Sequence, residues 1–443
     1  MIIVYADEKS PRLDYILSRI FNDTLGGKFY FTTNKDKFIA SHLPSVNYSF
    51  ENLHKGVWIV PHSLLYNKGI DKQKIGKISR WKNLPVFFSQ KQGDIPFDIF
   101  SAAFYLITRY EEYYSKALDI HGRYEYSDSI VCRMECIEEP IVDQWAYALK
   151  DELLKLYPEC KFAPRSFNFI PTIDIDHPYL YRNKGFSLNA LCLLKDLLKR
   201  DFSIFKNRLL TILHIKEDVY FNFGFLLQLY KEQGIKGFFF VHWGPYGRFD
   251  RRYIYPSCRY KKMLRQISEE HPVYIHPSYI TAFNNLQFCK EKMELEKVLG
   301  RKTESSRQHF LRFRFPETFR QLQTADIHDD YSVLYSNQYG FRAGTSIPFP
   351  FYDVERDQET NLIIHPSAVM DMTLLRDFSM SPQQAFEKIK ELAEKVKAVN
   401  GDFITLFHNS SLAETKEWKG WRDMYTEMIK QIIYITKKNN EDY

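Results

Sequence analysis

The chain has 443 residues, of which 44% are hydrophobic and 16% aromatic, with only 18 glycines. That composition excludes global disorder, a collagen-like repeat and a low-complexity chain, and it is enough for one or more large cores. The formal charge of +6 comes from 61 basic and 55 acidic residues, with no block of like charge. No nucleic-acid partner is therefore expected.

The first 160 or so residues alternate short apolar runs with helical spacing. MIIVYA reads as a strand, 11–22 as a helix, and KFYFTT, KGVWIV and NLPVFFS as further strands. A helix with Asp98 as N-cap covers DIFSAAFYLITRYEEYYS, and an amphipathic helix covers 142–156. The segment YPECKFAPRS breaks the periodicity and places a domain boundary near 157–166.

Beyond the boundary, apolar runs end in polar, chemically capable residues: FNFIPTIDIDHP, GFFFVHWG, PVYIHPSY, SSRQHFLRF, YGFRAGTS, NLIIHPSAVMD and DFITLFHNS. Helical segments separate most of them, the clearest at 381–399 with Ser381 as N-cap and Pro382 in the first turn. Strands alternating with helices indicate parallel β/α units, whose reacting groups sit at the C-terminal strand ends. Asp174, Asp176, His242, His276, His365, Asp371 and His408 all occupy such ends. Between the first two strands lies a long insertion, roughly 185–216, rich in Lys, Arg, Leu and Phe. Its stretch 195–213 is either a helix covering the barrel or a peripheral contact with an anionic membrane. The Ile-His-Pro-Ser at 275–278 recurs at 364–367, a weak echo of duplication.

Asp174 and Asp176 are i and i+2, so on a continuing strand both carboxylates face the same way. Two close carboxylates repel unless a cation or a shared proton lies between them. With His276 at a later strand end, zinc or another transition metal fits, although solvated acids or a helix cap would also account for the pair. His309 lies between Arg307 and Arg312, and an Arg there orients a carboxylate or stabilises an oxyanion. His408 is a candidate general acid. His365 and Asp371 form either an orienting pair or a cap. Arg342 is expected to reach the same cavity, and Trp243 and Tyr279 offer flat rings to a sugar. Other rings near the strand ends are Tyr179, Tyr246, Phe310 and Tyr352.

Residues 168–410 resemble a divergent polysaccharide deacetylase. The landmarks follow in order: Thr172-Ile173-Asp174, a strand ending in His276, an Arg motif at Arg307, a Gly-containing strand, and Leu406-Phe407-His408. The resemblance implies an α/β fold, a C-terminal distorted (β/α) barrel of about seven strands over 161–443, and a divalent metal, expected to be zinc. It implies Asp174 as general base, His408 as general acid, and an acyl group removed from an amino sugar or polysaccharide in surface glycan metabolism. Three positions depart from the family pattern. Ile175 separates the two acids, position 280 is Ile where a second His would stand, and His309 replaces a Pro. Asp176, His276 and His309 would then supply the metal ligands, with Arg307 a further catalytic residue and Arg342, Trp243 and Tyr279 touching the carbohydrate. Residues 1–160 resemble the smaller α/β accessory domain that accompanies such modules, through Phe100–Tyr113 and His121–Arg123. Two other functions remain: a non-catalytic glycan-binding scaffold, or a metal-dependent glycosyltransferase using Asp174-Ile175-Asp176. Six dispersed cysteines without a C-x-x-C pair, no apolar run of about 18 and no basic leader point to the cytoplasm, with membrane association through 195–213 as the variant.

Overall fold

The computed structural model describes residues 1–163, 165–250 and 256–441; Pro164 of the expected linker lies outside them. Strands β1 (Ile2–Ala6), β2 (Phe29–Thr32), β3 (Ser45–Tyr48) and β4 (Val57–Ile59) form a parallel sheet in the order β2-β1-β3-β4. The short SVNY run of β3 has one aliphatic residue, which is why it escapes a hydrophobicity reading. A hairpin follows, β5 (Ser79–Trp81) with β6 (Leu84–Val86).

Asp98 caps the helix Ile99–Ile107, its Oδ1 accepting from the backbone N–H groups of Phe100 and Ser101, each at 3.0 Å. The expected helix through Ser115 stops early because Arg109 takes a left-handed conformation, φ 52°. That turn aims Arg109, Glu111 and Glu112 inward; Arg109 and Glu111 are buried, and the Glu112 side chain is 5% exposed. Helix Ile141–Leu156 closes this region.

Among the described residues the second sheet has nine strands: β7 (Asn168–Ile175), β8 (Phe238–His242), β9 (Val273–His276), β10 (Ser305–Ser306), β11 (Asp329–Asp330), β12 (Phe349–Asp353), β13 (Gln358–Ile364), β14 (Val369–Met370) and β15 (Asp402–His408). Their order is β12-β13-β11-β10-β9-β8-β7-β15-β14, with only β12 antiparallel. The α/β class agrees with the sequence reading. The strand number does not: nine replace about seven. Among the described residues no ladder joins β14 to β12 or β13, so the curled sheet stays open between them. Three of the strands are two residues long, too short to leave a periodic signal.

Register positions the chemistry. His408 pairs with Asp174 across β15 and β7. His242 pairs with His276 across β8 and β9, and Ser306 pairs with Ile275, so Arg307 follows beside His276. Helix Pro382–Ala398 carries a full capping box from Ser381 and Gln384, and buries Ile389, Leu392 and Val396 as its spacing requires. Gly401 then admits Ser346, whose Oγ would lie 2.0 Å from any Cβ there.

One apolar core runs through both sheets, from Ile2 and Val4 past Trp145 to Phe407 and Ile435. Polar clamps cross the same boundary. Asp143 accepts from Thr345 Oγ1 at 2.5 Å and from the Ser346 N–H at 2.8 Å. Arg342 makes a bidentate pair with Glu112, at 2.9 and 2.6 Å, and Glu112 also takes Arg109 Nε at 2.8 Å. Burial works against the Glu112 carboxylate, but Arg342 and Arg109 outweigh it and hold its pKa below the usual range.

Candidate active site

A cavity of about 310 Å³ opens at the strand ends, lined by Asp174, Asp176, His276, His309 and His408 together with Arg123, Gln308, Phe310, Leu311, Met370, Met372 and Leu406. Asp174 is the next-to-last residue of β7, within its buried part. Its Oδ1 accepts from Arg307 Nη1 at 2.7 Å, and its Oδ2 lies 3.6 Å from His276 Nε2. Asp176 lies one residue past the strand and on the same side, as i and i+2 spacing requires.

Asp176 is the hub of three imidazoles. Its Oδ1 is 3.3 Å from His276 Nε2, and its Oδ2 is 3.7 Å from His309 Nε2 and 3.8 Å from His408 Nε2. The opposite nitrogen of each ring is held from behind. His276 Nδ1 meets the Arg307 carbonyl at 2.5 Å, His309 Nδ1 meets Asp250 Oδ1 at 3.2 Å, and His408 Nδ1 meets Asp371 Oδ1 at 2.8 Å. An Nδ1–H donated outward leaves the Nε2 lone pair facing Asp176, which is how metal-binding imidazoles are oriented. Ligand atoms of Asp176, His276 and His309 all lie within 4.8 Å of one another. Asp176 Oδ1 is buried without a hydrogen-bond partner. A divalent cation fits this donor set: one carboxylate and two imidazoles, with room for water or substrate.

Protons occupy the cluster otherwise. Burial opposes the Asp176 carboxylate, but His309 and His276 outweigh it and hold its pKa well below the usual range. Burial also opposes the His309 cation, yet Asp176 and Asp250 raise its pKa to about 9. At His408 the same contest is won by Asp371, and the pKa rises to about 10. His242 goes the other way: burial, then the neighbouring His309 and His276, push it well below its ordinary value. Its Nδ1 lies 3.1 Å from the His276 carbonyl.

The turn carrying His309 is unlike the strand ends. Phe310 and Leu311 both take positive φ, 62° and 50°, a conformation costly for side chains with a Cβ. The first 160 residues brace it. Arg123 Nη1 donates to the Phe310 carbonyl at 2.8 Å, and Arg312 Nε donates to the His121 carbonyl at 2.7 Å. Asp119 holds Arg123 in turn, Nε to Oδ2 at 2.7 Å. The His121-Gly122-Arg123 motif thus reaches the cavity wall.

Arg307 is fully buried. Its Nη1 also bonds Thr172 Oγ1 at 2.6 Å, its Nε bonds the Tyr331 carbonyl at 3.0 Å, and its plane lies 4.3 Å from the Phe240 ring centre. It touches Asp174 rather than the open cavity, so it positions the carboxylate.

Three expected substrate contacts are not brought to the cavity. Arg342 is consumed by Glu112 and sandwiched between Phe313 and Tyr335. Trp243 packs on Tyr260, and Tyr279 points its hydroxyl to His121 Nδ1 at 3.1 Å. Of the other rings, Phe310 lines the cavity, while Tyr179 stacks on Phe221 and Tyr352 packs against Tyr15. The expected His365–Asp371 pair also dissolves: His365 Nε2 meets Asp329 Oδ1 at 2.7 Å, and Asp371 belongs to His408. Sequence reasoning missed Asp250. The aspartate at the end of GPYGRFD follows no apolar run, and no strand-end signal marks it.

A model for a family of unknown function, DUF7033, matches residues 2–158. No curated protein matches the chain. Among solved structures, the chain is similar to a candidate polysaccharide deacetylase from Mycobacterium smegmatis, with 14% identity and a TM-score of 0.41, over 63% of this chain and 92% of that one. It is also similar to a mutant CE4-family pseudoenzyme with restored enzymatic activity, at 14% identity and a TM-score of 0.30, over 60% of this chain and 64% of that one. A further mutant of a CE4-family pseudoenzyme matches at 13% identity and a TM-score of 0.30, over 60% and 63% of the two chains.

Proposed function

We propose that this chain is a metal-dependent hydrolase that removes an acyl group, acetyl by size, from an amino sugar or polysaccharide intermediate. The observation that carries the reading is the convergence of Asp176, His276 and His309, each imidazole held from behind and each Nε2 turned to one carboxylate. Those three residues would hold a divalent metal, zinc by its donor set. When bound, such an ion polarises a carbonyl and lowers the pKa of a water.

The remaining groups divide the proton work. Asp174 faces the cluster through Oδ2, and Arg307 on Oδ1 fixes its direction; it accepts the proton of the attacking water. Asp371 on the far side of His408 favours the protonated imidazole. That proton is available to the departing amine. Leu311, Met370, Met372 and Leu406 give one side of the cavity an apolar wall that suits a methyl group, while Arg123, Asn337 and Arg376 line the rest.

The test is acetate release from acetylated amino-sugar oligomers by the metal-loaded protein. Asp174→Asn should abolish release while leaving metal content unchanged. Binding of oligomers without release, in a protein that does hold metal, would replace this reading with a glycan-binding one.

A further inference from the structure

The insertion between β7 and the helix Phe223–Gln233 does not cover the sheet. It forms two helices, Phe186–Leu198 and Phe202–Ile212, and each has a single buried residue, Asp196 in the first and Thr211 in the second. Neither is apolar. Several apolar side chains are half-buried, Leu193, Phe205 and Leu209 among them, but others face outward: Phe186 is 91% exposed, Leu198 77%, Ile215 71% and Phe202 65%. Leu191, Leu194 and Leu198 are spaced as one helical face. Of the 22 large apolar side chains exposed among the described residues, eight fall between 186 and 215. Such concentration on a fifteenth of the chain is not the ordinary scatter of surface leucines.

Charge says what covers that face. Residues 184–216 carry seven lysines and arginines against two aspartates, and Asp196 is neutralised by Arg208 at 2.7 Å. Lys195, Lys199, Arg200 and Lys206 are exposed beside the leucines. A protein partner that matched the apolar stripe alone would not need this excess. A bilayer with anionic headgroups matches both halves. Among the described residues no helix is long and apolar enough to cross a membrane, so the hairpin would lie on the surface rather than span it.

Its root is rigid and adjoins the cavity. Arg182 donates to the carbonyls of Thr211 and Lys216, and Asp218 accepts the N–H groups of Leu180, Tyr181 and Arg182. Asn409, next to His408, donates to the carbonyls of His177 and Tyr220. The segments that follow β8 and β9, at the same end of the sheet, expose Tyr246, Ile280 and Phe283. We infer that the hairpin 186–215 docks the protein on an anionic lipid surface with the cavity end of the sheet turned toward the bilayer. The inference does not depend on the reaction proposed for the cavity.

The experiment is co-sedimentation of the full chain with vesicles of phosphatidylglycerol and phosphatidylcholine, against vesicles of phosphatidylcholine alone. Wild-type protein should pellet with the anionic vesicles. Leu194→Glu with Leu198→Glu should lower partitioning by about tenfold or more. Lys195→Ala with Lys199→Ala should lower it by about fivefold per lysine on anionic vesicles only. These residues are exposed, so the unfolding temperature should not move, which separates lost docking from lost fold. Absence of pelleting by the wild type, or equal pelleting of the leucine variant, overturns the inference. So does a vesicle-free dimer that the leucine variant converts to monomer, since the face would then pair two copies of this chain.

Discussion

The two sides of the candidate metal centre are built by different physics. Asp174, His276 and His408 stand at strand ends, where backbone ladders set their positions, and Asp176 lies one residue past β7. His309 stands on a turn with two residues of positive φ, and it is held by groups from the first 160 residues. The first side is rigid because the sheet is. The second is held by side-chain contacts, with Arg123 and His121 gripping the turn from one side and Asp250 and Ser332 from the other. A region with its own parallel sheet therefore completes the centre formed by the other sheet. The N-terminal part braces a ligand, and the shared apolar core keeps the brace in register.

Four substitutions can break or sharpen that contrast. The largest effect is expected on the strand-end side. His408→Ala should lower kcat for deacetylation by about 10² to 10⁴-fold, the usual range for a lost general acid, with metal content unchanged. Asp371→Asn should act through His408, shifting the alkaline limb of the pH–rate profile downward, because the carboxylate that raises the imidazole pKa is gone.

Arg342→Ala should cost about 1.5–3 kcal/mol of stability, because the Glu112 carboxylate loses its bidentate partner and keeps only Arg109 Nε, read as a lower denaturation midpoint. Metal affinity in the folded fraction should stay the same. Arg123→Ala should do the reverse. Metal affinity should fall by about 10 to 100-fold, as when an outer partner of a ligand is removed, while kcat at saturating metal is largely retained. If Arg123→Ala leaves metal affinity untouched, the brace is only packing and the contrast fails.

The smallest expected effect is on pH. His408 and His309 have folded pKa values of about 10 and about 9, above the ordinary 6.5. In metal-free protein the folded state binds these protons more tightly than the unfolded chain does. That stabilisation is fully present below about pH 6.5 and is lost as pH rises through 9 and 10. The unfolding temperature of chelator-treated protein should therefore fall between pH 7 and 10. The fall should be smaller in Asp371→Asn, whose His408 starts with less to lose.

The same contrast explains what could be read from the sequence. Strand-end residues advertise themselves, because an apolar run of alternating period stops at a polar group, and the β7, β9 and β15 runs all do so. His309 has no such signal, and it comes from resemblance to a family pattern in which its position is occupied by Pro. Pairings across the chain were harder. Asp371 looks closer to His365 in sequence, but β14 and β15 lie side by side and hand it to His408. Arg342 looks like a cavity residue until Glu112, 230 positions away, is seen to take its guanidinium. Strand count failed at the two-residue β11, at β14, which shares one run with β13, and at YGFRAGTS, which is expected as a strand and forms none.

The central claim is that Asp176, His276 and His309 form a metal site, and metal content tests it most directly. Purified protein, dialysed against metal-free buffer after zinc loading, should retain about one ion per chain. Asp176→Ala should retain close to none, with the fold intact by circular dichroism. No bound metal in the wild type, or equal metal in the variant, would contradict the account.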